Sequence, residues 1–138
     1  MSNATVELFD VALNGCGNCA LLNSTSYTTS TSTTTVVATR CEFANSRVGA
    51  AVQGRLTSAK FNNCVFHDNS SDGIYGCQST IHLHGEATAI HANENNGIYA
   101  TSSSKVLIHL PSHHNTFYNN GGEDRHTFAG GTITNVED

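Results

Sequence analysis

The chain repeats itself at a fixed interval of about 24 residues, a period in the range of known solenoid repeats. The segment from Asn69 to Gly76 reads Asn-Ser-Ser-Asp-Gly-Ile-Tyr-Gly, and the segment from Asn93 to Ala100 reads Asn-Glu-Asn-Asn-Gly-Ile-Tyr-Ala. The same step places Asn45 and Gly49 before their counterparts in the first segment. In a solenoid each repeat leaves an apolar side open, and stacking of the next repeat covers it. We therefore expect one coil per repeat.

Within each repeat, apolar and polar residues alternate over short stretches. Ile81 and Leu83 are separated by one histidine, and Val106, Ile108 and Leu110 follow the same spacing one repeat later. A period of two residues indicates a β-strand whose successive side chains face opposite sides. A second short strand is predicted in each repeat. These second strands end at Phe43, Phe66, Ile90 and Phe117.

Short strands joined by Asn, Gly and Ser turns at a constant period predict a solenoid built of strands. We predict an all-β fold, a right-handed single-stranded parallel β-helix of about five to six coils with ~24 residues per coil. The hydrophobic content of 38% suits a narrow apolar interior. Ala87 is assigned to the interior of the fourth coil, and Phe128, Ile133 and Val136 are assigned to an incomplete sixth coil.

One repeat unit carries a family resemblance. It consists of Phe66, Asn69, Gly73, Ile74 and Tyr75, followed by Ser79, Ile81 and Leu83. This succession resembles the repeat of right-handed parallel β-helix proteins of the pectate-lyase-like superfamily, over roughly Val37 to Val136. The resemblance implies the fold, whereas that superfamily includes lyases, hydrolases, epimerases, viral tailspikes and proteins without known activity. The tail from Ile81 onward is also similar to the ends of uncharacterised algal β-helix proteins.

The length of 138 residues predicts a single domain over residues 1–138. The Ser- and Thr-rich stretch Tyr27–Thr35 interrupts the repeat and is interpreted as an insertion, either a solvent-facing strand or a projecting loop. Neither end carries a recognisable cap. A bare terminal coil exposes unpaired backbone groups, so we expect either a segment of a longer chain or other protein chains docked at the ends.

The charge argues against one class of partner. The net charge is −5 and only six residues are Lys or Arg, so a basic surface for nucleic acid is not expected. The sequence contains no run of 18 apolar residues and does not begin like a signal peptide. It therefore predicts neither a membrane span nor a secretion signal in this chain, and it leaves the compartment open.

Five cysteines provide no diagnostic metal motif. Cys16 and Cys19 form a CxxC pair, but a second pair is missing. Cys41 and Cys64 each precede an inward phenylalanine by two residues. We interpret them as small buried side chains in one interior column, with a disulfide or a metal as the alternative.

Histidines are concentrated in the second half of the chain. If Leu83 and its apolar neighbours point inward, alternation turns His82, His84 and His109 outward, where they could bind zinc or copper together with His113–His114 on an inserted loop. The alternative is a set of solvent-exposed histidines on a polar sheet.

Two tyrosines occupy equivalent positions in successive repeats. Tyr75 and Tyr99 are one full period apart, so we expect them one above the other on the outer face. Aligned aromatic rings can contact sugar rings, while Asn, Asp and His provide hydrogen bonds to hydroxyls. The alternative is that the tyrosines only cover Ile74 and Ile98.

Catalysis would need a base and charged groups in one cleft. For a uronan lyase or epimerase, Arg125 or a nearby histidine is the candidate base, and the candidate calcium ligands are Asp68, Asp72, Glu123 and Asp124. For a hydrolase, Asp68 and Asp72 are the candidate carboxylate pair. Asp72 has the alternative role of a turn residue before Gly73.

We expect a non-catalytic β-helix module that binds a glycan or a protein on its lateral face and docks in a larger assembly. The alternative is a polysaccharide lyase or epimerase that uses the histidine-rich face with calcium.

Overall fold

The computed structural model describes residues 3–15, 17–24, 32–112 and 116–137, and these fold into sixteen short β-strands. The strands follow in triplets along the chain. They are β1 (Ala4–Phe9), β2 (Ala12–Asn14) and β3 (Cys19–Ser24); β4 (Thr34–Thr39), β5 (Glu42–Ala44) and β6 (Val48–Gln53); β7 (Thr57–Asn62), β8 (Val65–His67) and β9 (Ile74–Cys77); β10 (Thr80–His84), β11 (Ala89–His91) and β12 (Ile98–Thr101); β13 (Lys105–His109), β14 (Phe117–Tyr118) and β15 (Arg125–Phe128); and β16 (Thr132–Val136).

Successive triplets stack into three parallel sheets. Sheet A has the order β1-β4-β7-β10-β13-β16, sheet B the order β14-β11-β8-β5-β2, and sheet C the order β15-β12-β9-β6-β3. The predicted all-β parallel solenoid is therefore confirmed, with about 25 residues per turn. The third strand of each triplet is an addition to the two strands per repeat that the sequence predicts.

The apolar core runs up the centre of the stack. In register, Phe43 lies under Phe66, which lies under Ile90 and then Phe117, as the spacing predicts. The rings of Phe43 and Phe66 are stacked with centroids 5.0 Å apart, and Phe61 of sheet A meets Phe66 edge to face at 4.9 Å. Burying a side chain of this size contributes about 1.5–3 kcal/mol.

The turns that enclose this core number about four, slightly fewer than predicted. The difference lies at the end strands. Val6 and Leu22, in β1 and β3, are 48% and 59% exposed, and Phe128 in β15 is 63% exposed. Phe128 is thus an exposed residue at the end of the fifth triplet, and its assignment to a sixth coil is wrong.

Two interior assignments, those of Ala87 and Leu110, are also wrong. Ala87 is exposed, and the buried residue of that turn is Thr88, whose hydroxyl donates to the carbonyl of His84. Leu110 is only half-buried, because β13 ends at His109 and the chain turns into Pro111.

Close stacking explains the glycine of each Gly-Ile pair. Gly49, Gly73 and Gly97 lie above one another, and a methyl group on Gly73 would lie 2.8 Å from the carbonyl oxygen of Gly97 and 2.8 Å from Cγ2 of Ile90. A larger residue would therefore push adjacent coils apart.

Each corner after a sheet B strand uses a left-handed backbone. Asn45, Asp68, Ala92 and Asn119 have φ values of 55°, 54°, 55° and 56°. Asn45 lies level with Asp68, because Ala44 pairs with His67. The sequence alignment of Asn45 with Asn69 is therefore displaced by one residue, and the amide of Ser46 is the group that donates to Oδ1 of Asn69.

The Ser/Thr-rich stretch is described only in part. Thr34 and Thr35 begin β4, while residues 27–31 lie outside the described residues, as do Cys16 and the pair His113–His114. The described chain contains no helix of the length and hydrophobicity that crossing a membrane requires.

Candidate functional site

Three histidines meet on the outer face of sheet A. His82 and His84 are alternate residues of β10, and β13 pairs with β10 so that Leu107 lies beside His82 and Ile108 beside Leu83. This register brings His109 beside His84. The expected grouping of His82, His84 and His109 is thus present, and one nitrogen from each ring lies within 4.8 Å of the other two.

The three rings are in mutual contact. The rings of His84 and His109 are stacked with centroids 4.0 Å apart, and Nδ1 of His82 lies 2.9 Å from Nε2 of His109 at hydrogen-bonding distance. Burial, followed by the nearby His109 and Lys60, lowers the pKa of His82. The ring of His82 is therefore neutral over a wider pH range than a free histidine.

An open depression of about 420 Å³ lies beside these rings. Its lining residues are Thr35, Val37, Ser58, Ala59, Lys60 and the three histidines. The hydroxyls of Thr35 and Ser58 are hydrogen-bonded to each other at 2.9 Å. The lining offers nitrogen and hydroxyl groups and no carboxylate.

Sheet C carries the tyrosine ladder that the repeat predicts. The rings of Tyr75 in β9 and Tyr99 in β12 are stacked with centroids 5.7 Å apart and an interplanar angle of 19°. A separation of this size corresponds to an offset stack, in which part of each ring face stays uncovered. Both side chains are half-buried.

Two residues of this surface were missed by the sequence reasoning. His126 of β15 lies next to Tyr99 with ring centroids 4.9 Å apart, and Glu123 holds its Nδ1 at 3.3 Å. Phe128 follows two residues later on the same strand and is exposed. The sequence does contain a signal for His126. It follows Tyr99 by 27 residues, the same step that leads from Asn93 to Asn120, so the insertion after Asn93 lengthens both steps equally.

A second aromatic ladder lies on sheet B. His67, His91 and Tyr118 stack in succession with centroid distances of 5.1 and 4.4 Å. His67 also contacts two carboxylates, Asp68 at Nδ1 and Glu42 at Nε2. Burial alone would lower the pKa of His67, but the hydrogen bonds to Asp68 and Glu42 outweigh it and raise the pKa.

The candidate catalytic residues have separate environments. Asp68 is exposed and binds His67. Asp72 is buried, which raises its pKa, and its Oδ1 accepts the backbone amide of Asn96 in the next coil at 3.1 Å. Arg125 continues the inward column of Ile98, with its guanidinium 5.0 Å from the ring centre of Phe117.

The other two candidate calcium ligands, Glu123 and Asp124, also interact with neighbouring side chains. Asp124 Oδ1 accepts a hydrogen bond from the side chain of Asn120 at 3.1 Å. Glu123 pairs with His126. Within the described part of the chain, the histidines of sheet A are the group of three metal-ligating side chains that lies close enough to share an ion; the four carboxylates do not form such a group.

The cysteine prediction is confirmed for the interior pair. Cys41 and Cys64 are buried free thiols. Burial raises the pKa of Cys64 to about 11, so this thiol stays protonated at neutral pH.

Comparison of the sequence and structure with protein-family models, curated proteins and solved structures finds no match.

Proposed function

We propose that this protein is a non-catalytic scaffold that binds an extended glycan along the outer face of sheet C. The observation that supports this best is the offset stack of Tyr75 and Tyr99, continued by His126. The ladder runs along the solenoid axis with one ring per coil. A linear chain of sugar rings laid along the same axis would meet one aromatic group at each coil.

The chemistry of the face suits sugars. Exposed ring edges and partly uncovered faces offer apolar contact to C–H groups, and the tyrosine hydroxyls and the His126 imidazole can hydrogen-bond to sugar hydroxyls. The exposed ring of Phe128 extends the apolar surface at one end. Glu123 contacts Nδ1 of His126, so Nε2 is the nitrogen that this proposal assigns to a sugar hydroxyl.

A place among the pectate-lyase-like proteins, with a resemblance to algal β-helix proteins, belongs to the same proposal. The repeat unit around Gly73 and Ile74 supports it. The lyase or epimerase alternative gains no support from the geometry, because Arg125 packs on Phe117 and Asp72 bonds to a backbone amide. We therefore place binding ahead of catalysis.

Docking of other protein chains at the ends of the solenoid is the second part of the proposal. Among the described strands, β1, β2 and β3 each pair with a neighbour on one side, and so do β14, β15 and β16. Exposed Val6, Phe9 and Leu22 accompany one set of edges, and Phe128 accompanies the other. Free strand edges with apolar neighbours favour the addition of a strand from another chain.

The test is binding to a panel of linear polysaccharides, alginate and pectin included, followed by calorimetry with oligosaccharides of the strongest binder. The variant with Tyr75→Ala and Tyr99→Ala should bind about 5-fold to 150-fold more weakly, because two aromatic contacts of roughly 0.5–1.5 kcal/mol each are removed. The matched control is His91→Ala with Tyr118→Ala, which removes the ladder of sheet B and should leave the affinity unchanged.

The same samples decide between binding and catalysis. Absorbance from an unsaturated product would reveal a lyase, and proton NMR of the recovered polymer would reveal an epimerase. Either signal from the wild-type protein contradicts the non-catalytic proposal. Equal losses in the two double variants would exclude the tyrosine ladder as the binding surface.

A further inference from the structure

The sheet A histidines are brought together by the fold rather than by local sequence. His84 and His109 are about one repeat apart in the chain, and they become neighbours only because β13 lies directly on β10. His82 reaches the same place by strand alternation, two residues before His84. Because both strands are internal in sheet A and carry the buried core residues Leu83 and Ile108, the backbone that holds the rings is well supported.

The nitrogen atoms already lie near the separations that a metal ion requires. Ligands about 2.0–2.1 Å from a tetrahedral ion are roughly 3.3 Å from one another. The observed contact between Nδ1 of His82 and Nε2 of His109 is 2.9 Å, and the three donor nitrogens lie within 4.8 Å of one another. Side-chain movements of about 1.5 Å therefore suffice to bring the three donor nitrogens to the separation that a tetrahedral ion requires.

From this geometry we infer that His82, His84 and His109 bind one divalent transition-metal ion, with zinc and copper as the favoured ions. Imidazole nitrogen suits zinc, copper and nickel, whereas calcium and magnesium prefer oxygen ligands, which the lining of the depression offers only as hydroxyls. Three protein ligands leave a further coordination position, and the open depression gives that position access to solvent or to a small ligand.

Binding requires two local changes. The stacked rings of His84 and His109 have centroids 4.0 Å apart and planes only 10° from parallel. Because an imidazole lone pair lies in the ring plane, at least one ring must turn toward the ion. The hydrogen bond between His82 and His109 must also break. One of these two rings donates the N–H in that hydrogen bond. For the same nitrogen to bind the ion, the ring must carry its proton on its other nitrogen. Both rings stay neutral in this change of tautomer, so no net proton is released.

The positive charge of Lys60 would repel a bound metal ion. Lys60 lies beside His82 in the register of β7 and β10 and lines the depression. Its ammonium group is exposed to water, which weakens the repulsion. This position supplies a test that does not remove a ligand.

The experiment is calorimetric titration of the full chain with ZnCl₂ under conditions that keep the cysteines reduced. We expect one ion per chain. His82→Gln, His84→Gln and His109→Gln should each weaken zinc binding at least about tenfold, since each removes one of three protein ligands. Lys60→Gln should strengthen binding by about twofold to fivefold by removing a nearby positive charge.

Matched controls lie on the other sheets. His91→Gln removes a stacked histidine of sheet B, and Cys77→Ser removes a half-buried thiol of sheet C; both should leave zinc affinity at the wild-type value. Circular dichroism reports whether each variant is folded. Wild-type zinc affinity in all three histidine variants, or equal losses in the controls, overturns the site. An affinity unchanged by Lys60→Gln would place any bound zinc elsewhere, even where a histidine variant fails to fold.

Discussion

Nδ2 of Asn69 donates a hydrogen bond of 2.9 Å to Oδ1 of Asn93, one coil further along the stack. Asn93 repeats this contact toward Asn120, again at 2.9 Å, and its Nδ2 also donates to the carbonyl of Phe66 at 3.2 Å. Asn69 and Asn93 are both buried. The repeated geometry along the stack is an asparagine ladder that satisfies backbone groups at a corner where no strand pairing reaches them.

Asn93→Ala should therefore destabilise the fold by about 2–4 kcal/mol, because a buried hydrogen-bonded group that loses its partner costs about 1–3 kcal/mol and several are affected. Urea denaturation measures the free energy of unfolding. The matched control is Asn95→Ala, two residues later and exposed, which should change it by less than about 0.5 kcal/mol. Similar values for the two variants would mean that the ladder adds little to stability.

Gly73→Ala tests the close approach of adjacent coils. The added methyl group would lie 2.8 Å from the carbonyl oxygen of Gly97, and overpacking of this kind costs about 1–3 kcal/mol. The same denaturation experiment measures it. Ser70→Ala, in the same turn but exposed, is the control and should be nearly neutral. A fully stable Gly73→Ala would show that the coils can separate without cost.

The period of the sequence predicts most of the fold. Gly-Ile-Tyr at two equivalent positions is enough to place Ile74 under Ile98 and Tyr75 under Tyr99, as observed. The period fails where a coil has a different length. Asn45 is misplaced because the step from β5 to β8 is shorter than the later period by one residue, as the pairing of Phe43 with Phe66 shows.

The candidate sites follow the same rule. Alternation within β10 and a single coil step predict the histidine cluster, since His84 and His109 are close to one period apart. His126 and Phe128 were missed because the insertion lengthens the last step to 27 residues, so the ordinary period of about 24 does not place His126 over Tyr99. The separate partners of Asp68 and Asp72 depend on which way each turn residue points, and a pattern of residue types does not specify that.

The sheet B ladder should give opposite histidine titrations. Hydrogen bonds to Asp68 and Glu42 outweigh burial and raise the pKa of His67, whereas burial and then the charge of His67 lower the pKa of His91, with Asp68 partly opposing. The contribution of His67 to stability is thus complete below the unfolded pKa of about 6.5 and is lost as the pH rises through the folded value. For His91 the stabilising neutral form is complete above about 6.5, and its contribution is lost as the pH falls.

Imidazole NMR spectra recorded across the pH range check this directly. We expect the His67 midpoint above that of a free histidine and the His91 midpoint below it. His67→Gln should move the His91 midpoint toward the ordinary value, because the neighbouring positive charge is gone. The variant should also lose more stability relative to wild type at acidic pH than at alkaline pH. A His91 midpoint that does not respond to His67→Gln would contradict the coupling.

Ala92 occupies a corner where its side chain is unfavourable. Its φ of 55° lies in the left-handed region, in which a residue with Cβ costs about 1–2 kcal/mol, and the equivalent corners hold Asn45, Asp68 and Asn119. Ala92→Gly should therefore raise the free energy of unfolding by about 0.5–1 kcal/mol, since relief of strain exceeds the greater entropy of the unfolded chain. Ala87→Gly is the control: Ala87 is exposed and is not among the residues with positive φ, so glycine there should lower stability by about 0.5–1 kcal/mol. Thermal denaturation of the two variants should move in opposite directions, and a destabilised Ala92→Gly would mean that the corner is held by contacts of the methyl group rather than by its backbone.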